Sequence, residues 1–277
     1  MPTGATAELL AFLAHQRDLP IRRDAVIDAL WPESAESRAR SSLNTAVWRC
    51  RKLLAKLKIR GVRLDAGPRT VSLKISPALT VDTHRLISIV QEVSGPAGQG
   101  DLLSDHLHAV LAAVLDASAE PFLDEFDSHW VIVEREKLVH FYVRGLSILL
   151  CDHCARRNYE EALQCGRRIL ELDPLLEGTQ RQMMWLHVLN GNRSRAIRRY
   201  EECASLLRRE LQIEPMPETT ALYDYILQES GAPRHDLAPE FLAPDARQTS
   251  GDRLLHTLSR LEDHRQAIFA RLSHTPT

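Results

Sequence analysis

Aromatic residues make up only 5% of this 277-residue chain, and no stretch approaches the ~20 uninterrupted apolar residues of a membrane-spanning helix. With 12 glycines and 14 prolines there is no collagen-like or low-complexity bulk, so fibrous structure and wholesale disorder are excluded. The first 14 residues have no basic region ahead of their short apolar run and no convincing cleavage site, so no secretory leader is expected. Five cysteines, an odd number set mostly in helical patterns, suit reduced thiols in a cytoplasm better than a disulfide framework. Catalytic signatures are missing too. The chain has no G-x-S-x-G elbow, no H-E-x-x-H, no Gly-rich dinucleotide loop and no G-x-x-x-x-G-K-[ST] phosphate cradle. Its 12 histidines are scattered without metal spacing. No enzyme, cofactor, metal or ATP switch is therefore expected. Cys151 and Cys154, three apart with Cys165 downstream, have the spacing of a metal or redox pair, but small buried helix residues are the plainer reading. Trp130, Trp185 and Tyr200 read as core in the same way.

What is present is a division of charge. Residues 1–74 carry 14 Lys/Arg against seven Asp/Glu, whereas the rest of the chain carries 21 against 30. A basic head on an acidic body is a common layout for a nucleic-acid reader joined to a regulatory module. Within the head, Leu9, Leu10, Leu13 and Ala14 mark one helix, stopped by Asp18-Leu19-Pro20. Val26, Ile27 and Leu30 mark a second, closed by Trp31-Pro32. The run 33–37 offers capping oxygens and early negative charge for a third, over about 37–58.

That third helix is the most informative stretch. Ala39, Leu43, Val47, Cys50, Leu53, Leu54 and Leu57 form an apolar stripe at three- and four-residue steps. The opposite face carries Arg38, Ser41, Asn44, Thr45, Trp48, Arg49, Arg51, Lys52 and Lys56, and no acid occurs from Arg38 to Arg60. A solvated face gains from mixed signs. A one-sign face interspersed with Asn and Thr suits phosphates and base edges, and a merely solvated basic helix is the rival reading. After Gly61 the period becomes two: Val62 and Leu64, then Val71, Leu73 and Ile75, with 65–69 as the turn. Three helices and a hairpin make a winged helix-turn-helix, with Arg63 and Arg69 on the wing.

From Asp82 onward the pattern is helical. Asp82 is expected to cap a helix to about Val93, and the Gly/Pro-rich run 95–100 breaks the chain. Helices follow over about 102–115 and about 130–156, linked by a connecting segment that includes 121–126. The runs 158–163 and 192–197 lie 34 residues apart, each opening a helix that closes near an acid-Pro pair, Asp173-Pro174 and Glu214-Pro215. That is the tetratricopeptide period, although the second unit is longer. Such arrays offer grooves for peptides or helices. The stretch from 228 to about 251 reads as a linker. Beyond it Leu254, Leu258, Leu261, Arg265, Ile268 and Leu272 form a short heptad seam, either docked on its own domain or forming a homodimer.

The fold class expected is therefore mainly α. A winged helix-turn-helix spans 1–78, an all-α tetratricopeptide-like domain 79–230, a linker 231–251 and an amphipathic helix 252–274.

Residues 21–32 (Ile21-Arg22-Arg23-Asp24 through Leu30-Trp31-Pro32) and 38–47 (Arg38-Ala39-Arg40-Ser41 through Thr45-Ala46-Val47) resemble the winged-helix segment of the Streptomyces antibiotic regulatory protein (SARP) class. Pro121-Phe122-Leu123-Asp124-Glu125-Phe126 with Trp130-Val131 and Glu134-Arg135 is similar to the start of the bacterial transcriptional activator domain (BTAD). So are Tyr159-Glu160-Glu161-Ala162-Leu163, Asp173-Pro174, Leu211-Gln212-Ile213-Glu214-Pro215 and Leu222-Tyr223. The resemblance covers roughly 8–230. It implies a cytoplasmic DNA-binding transcriptional regulator, usually an activator, that reads direct repeats in double-stranded DNA near promoters and engages RNA polymerase. Carried over by position, Arg40, Asn44, Thr45, Trp48 and Arg49 would face bases, while Arg38, Arg51, Lys52, Lys56, Arg63 and Arg69 would meet phosphates. Members of the class usually carry a β-sheet before the first helix; here that sheet is expected to be missing, or the start drawn too late. The competing expectation is a protein-interaction scaffold whose winged helix no longer binds DNA.

Overall fold

Leu9, Phe12 and Leu13 recur on one face of α1 (Ala5–His15) and are buried at its centre. The computed structural model describes residues 4–94 and 102–228; the expected break at 95–100, most of the linker and the seam 254–272 lie outside the described residues. The chain divides into two units, Met1–Ile148 and Leu149–Thr277.

In the first unit α1 is followed by β1 (Ile21–Arg22), α2 (Arg23–Leu30), α3 (Glu36–Leu57), β2 (Val62–Ala66) and β3 (Thr70–Ile75). Val26, Ile27 and Leu30 of α2 point inward, as their spacing predicts. On α3 the buried positions are Ala39, Leu43, Ala46, Val47 and Cys50. The stripe expected to continue to Leu57 fades instead: Leu53 and Leu54 are half-buried and Leu57 is 56% exposed. At 22 residues, about 33 Å, the helix outruns the small core it packs on. Its start also differs from expectation. Ala35 occupies the N-cap position and no side chain caps it, so Glu36 in the first turn contributes charge rather than a cap. Lys58 ends the helix in the left-handed conformation (φ 49°).

The two-stranded hairpin expected from the alternation is a three-stranded sheet in the order β1-β3-β2. β2 and β3 pair from Val62↔Ile75 to Ala66↔Val71, which shortens the turn to Gly67-Pro68-Arg69. β1 adds Ile21↔Val71 and Arg22↔Thr70 on the other side of β3. Two residues give no readable alternation, which is why β1 escapes a sequence reading. Asp18 (φ 63°) tightens this edge: its N–H donates to the Leu73 carbonyl at 3.1 Å and its carboxylate accepts from the Ile75 N–H at 3.0 Å. Asp is among the residues that tolerate the left-handed region.

The same unit contains α4 (Asp82–Val93), α5 (Asp105–Ala117) and the first part of α6 (His129–Ala155). Val81, not Asp82, is the N-cap of α4, and the Asp82 carboxylate accepts from the Thr83 N–H. Ser104 caps α5 by accepting from the Leu107 N–H, so that helix starts later than its apolar pattern suggests. Gly145 lets α6 approach closely: a Cβ there would lie 2.8 Å from Leu115 and 3.1 Å from Val90. The winged module is fastened to these helices by specific polar and aromatic contacts. Trp130 packs edge-on against Phe12, centroids 5.1 Å apart, and its indole N–H donates to Glu8 at 3.1 Å. Buried His15 meets the Glu134 carboxylate at 2.9 Å. Burial would raise the Glu134 pKa, but the hydrogen bond and charge of His15, helped by Lys137, hold it below its ordinary value.

The second unit begins within α6 and continues through α7 (Tyr159–Leu172), α8 (Glu177–Leu189), α9 (Arg193–Leu211) and α10 (Pro217–Gln228). Asn158 and Asn192 stand at the N-caps of α7 and α9, and Ala162 and Ala196 are fully buried four residues on, as a 34-residue repeat requires. Met184, Trp185, Ala196, Leu222 and Ile226 form the core around α8, α9 and α10. Tyr200 and Tyr223 stack with centroids 4.0 Å apart. Buried Glu177 accepts from the Met216 N–H and the Thr219 hydroxyl, which fastens the head of α10 to α8.

Gly61 (φ 84°) links α3 to β2, and a Cβ there would fall 2.8 Å from Ser76 Cβ. Gly61→Ala is therefore expected to destabilise the protein by about 1–3 kcal/mol, seen as a lower thermal midpoint. His187 is buried, and its pKa is lowered to about 4 by burial first, then by Arg199, Arg195 and Arg167. The unfolded chain takes up that proton near pH 6.5. This contribution is thus fully present above that pH and lost as the pH falls toward 4. Urea midpoints at pH 7 and 5 should show His187→Asn losing less stability on acidification than wild type, by about 2 kcal/mol.

Candidate nucleic-acid interface

All eleven candidate residues are exposed in the structure. Nine lie on α3, opposite the residues that α1, α2 and the sheet bury, because 3.6 residues per turn place 41, 45, 48, 49, 52 and 56 on the outer side when 39, 43, 46, 47 and 50 face in. Trp48 stands 60% exposed among the cations, and the Lys52 ammonium lies 5.1 Å from its ring centroid. A large aromatic so far out of the core, with a cation over its face, is poorly explained by packing alone.

The side chains differ in how far they are already committed. Arg40 pairs with Glu36 at 2.6 Å and reaches Asp24 at 3.9 Å. Thr45 donates its hydroxyl back to the Ser41 carbonyl at 3.0 Å. Arg51 donates to the Ala66 carbonyl at 3.2 Å, so α3 grips the wing. On the wing Arg63 pairs with Asp65 at 2.9 Å. The side chains of Arg38, Arg49, Lys56 and Arg69 make no hydrogen bond or ion pair with other described residues. Exposed pairs such as Arg40–Glu36 are worth only about 0–1 kcal/mol.

One residue that the sequence reading passed over joins this face to the wing. Arg23, at the head of α2, donates to the Asn44 carboxamide oxygen and to the Gly67 carbonyl at 3.3 Å. Its backbone N–H also donates to the Arg69 carbonyl at 3.0 Å, extending the β1–β3 pairing. Nothing in the local pattern signals this role, since its partners lie 21 and 44 residues away.

Elsewhere, Cys154 is buried and its thiol is pushed up to about 11, by burial first and by Cys151 second, which suits packing rather than reactivity. Among the described residues no group of three or more His, Cys, Asp or Glu could hold a metal ion, and no helix is long and apolar enough to cross a membrane. In the second unit a groove of about 560 Å³ runs between the end of α7 and α9, with Leu170, Gln180, Arg199 and Glu202 on its walls.

Residues 81–227 match the bacterial transcriptional activator domain family. The chain is 30% identical over 250 residues to the transcriptional regulatory protein EmbR of Mycobacterium tuberculosis, covering 83% of this chain and 59% of EmbR. It therefore spans about three fifths of the length of those relatives. It is 26% identical over 249 residues to the transcriptional regulatory protein MoaR1 of Mycobacterium tuberculosis, covering 83% of this chain and 74% of MoaR1. A solved structure of Mycobacterium tuberculosis EmbR, in complex with a low-affinity phosphopeptide, superposes with a TM-score of 0.69 at 26% identity. That superposition covers 94% of this chain and 65% of the EmbR chain.

The Arg40–Glu36 pair is testable without any assumption about sequence preference. Glu36→Gln should release Arg40 and strengthen binding to heparin, with the slope of log K against log salt steepening by roughly one. An unchanged slope would show that Arg40 was never withheld.

Proposed function

From the premise that the chain belongs to the bacterial transcriptional activator domain family, within the SARP class of regulators, we propose that it is a sequence-specific DNA-binding transcriptional activator. The observation that carries this reading is the outer face of α3: 22 residues long, exposed, and without a carboxylate from Arg38 onward. A helix–turn–helix that presents such a face sets its recognition helix into the major groove. Arg40, Asn44, Thr45, Trp48 and Arg49 then meet base edges, and Arg38, Arg51, Lys52 and Lys56 the phosphates. Arg63 and Arg69 carry the wing to the neighbouring backbone. Phosphate contacts fix register and supply most of the affinity, and base contacts supply the choice of site.

In this proposal residues 1–78 are the reading head and 79–230 the activator module, acting in the cytoplasm. Direct repeats near a promoter would load copies in tandem, and the helical module would engage RNA polymerase. The family relation supports these last points, as do the names of EmbR and MoaR1 as transcriptional regulatory proteins.

The test is fluorescence anisotropy with DNA from upstream of the protein's own gene and its neighbours, across a salt series. Tight binding to one fragment is expected, with log K falling steeply against log salt. Replacing Arg49 and Lys52 together by Ala should weaken binding at least tenfold and reduce the slope by roughly one, since only Lys52 meets a phosphate. Absence of binding even at low salt would defeat the proposal in favour of a protein-interaction scaffold.

A further inference from the structure

The proposed reading of DNA leaves open which base the centre of α3 selects, and the contact between Arg23 and Asn44 bears on it. A carboxamide oxygen and nitrogen are told apart by their partners. A guanidinium has only donors, so the atom of Asn44 facing Arg23 must be Oδ1, and Nδ2, with two hydrogens to give, makes no hydrogen bond to other described residues. Asparagine commonly reads adenine with both ends, Nδ2 donating to N7 while Oδ1 accepts from the N6 amino group. Here one of the two lone pairs of Oδ1 is taken by a cation, whose charge repels an amino group approaching the other. The same guanidinium is braced on the Gly67 carbonyl, and its backbone is pinned to Arg69, so it is held between the wing turn and α3.

We propose that Arg23 is a positioning residue that sets base specificity: by holding Asn44 Oδ1 and placing a positive charge beside it, it leaves Nδ2 as the reading end of Asn44, directed at the N7 and O6 acceptors of guanine rather than at adenine. Guanine is the base whose major-groove edge offers two acceptors and no donor. The cation beside Asn44 adds to this preference, because it favours an electron-rich edge. This inference rests on the proposed DNA-reading function and names the base that one position of that function selects.

The experiment selects binding sites from a randomised duplex library with the full-length wild-type chain and with Asn44→Ala, Arg23→Met and Arg23→Lys. The position at which Asn44→Ala loses its preference identifies the base read by Asn44. Wild type is expected to select guanine there. Arg23→Met frees Oδ1 and should move the preference toward adenine, lowering guanine-over-adenine discrimination roughly tenfold, about the worth of one good base contact. Arg23→Lys, which keeps a cationic donor, should retain guanine. A merely structural role for Arg23 would lower affinity on all sites equally and leave the selected base unchanged, which would overturn the inference while leaving the DNA-reading function intact. Adenine selected by wild type at that position would overturn it too. A library with no enriched sequence for wild type would defeat both.

Discussion

The segment from Asp18 to Arg23 hydrogen-bonds along β3 from end to end. Asp18 meets Leu73 and Ile75, β1 pairs with Thr70 and Val71, and the Arg23 N–H reaches the Arg69 carbonyl. An isolated two-stranded hairpin is marginal in water, and a third strand is what makes a small sheet hold its shape. The same segment leads directly into α2, which packs Val26, Ile27 and Leu30 into the core that also buries Leu43 and Val47 of α3. Wing and helix are thus fixed to one frame, and Arg51 and Arg23 close the gap between them by donating to the carbonyls of Ala66 and Gly67. This frame is what holds the exposed cations in register.

Close helix packing governs the remainder of the chain. Gly145 allows α6 to lie against Leu115 and Val90, and Gly166 allows α7 to lie against Met183. Ala162 and Ala196 serve the same end at equivalent places in the repeat. Small residues permit short interaxial distances, so the polar groups carried inward must be paired across helices. Glu177 illustrates this: it is buried and is satisfied by Met216 and Thr219 of the incoming α10 segment. His187 takes the other route available to a buried base, remaining neutral among arginines.

Much of this was legible beforehand. The inward positions of α2, the limits of α3 within a residue, the change to alternating period after Gly61, and the 34-residue offset between Asn158 and Asn192 all follow from spacings of two, 3.6 or 34. The errors share one cause. Leu57 has the right spacing for a core residue but no core beneath it, and Leu102 has an apolar side chain but lies before the Ser104 cap. β1 is too short to carry a pattern at all. Periodicity reports which face a side chain shares, not whether another element covers that face.

The sequence by itself determined the class of fold and the sign and composition of the α3 face, because both are local: charge is a property of residue type, and helical facing follows from position along one element. Tertiary structure alone decided which of those cations are tied and which are loose. Arg40 is held by Glu36 and Asp24, Arg51 by the wing, and Asn44 by Arg23, whereas Arg49 and Lys56 stand out from the helix uncommitted to other described residues. Apart from the Glu36 pair, these ties join residues 15 to 21 apart in sequence, through two hydrogen bonds and the Arg40–Asp24 ion pair. Such bonds depend on where a third element, the β1–β3 edge, brings the chain back, and no spacing within α3 encodes that return.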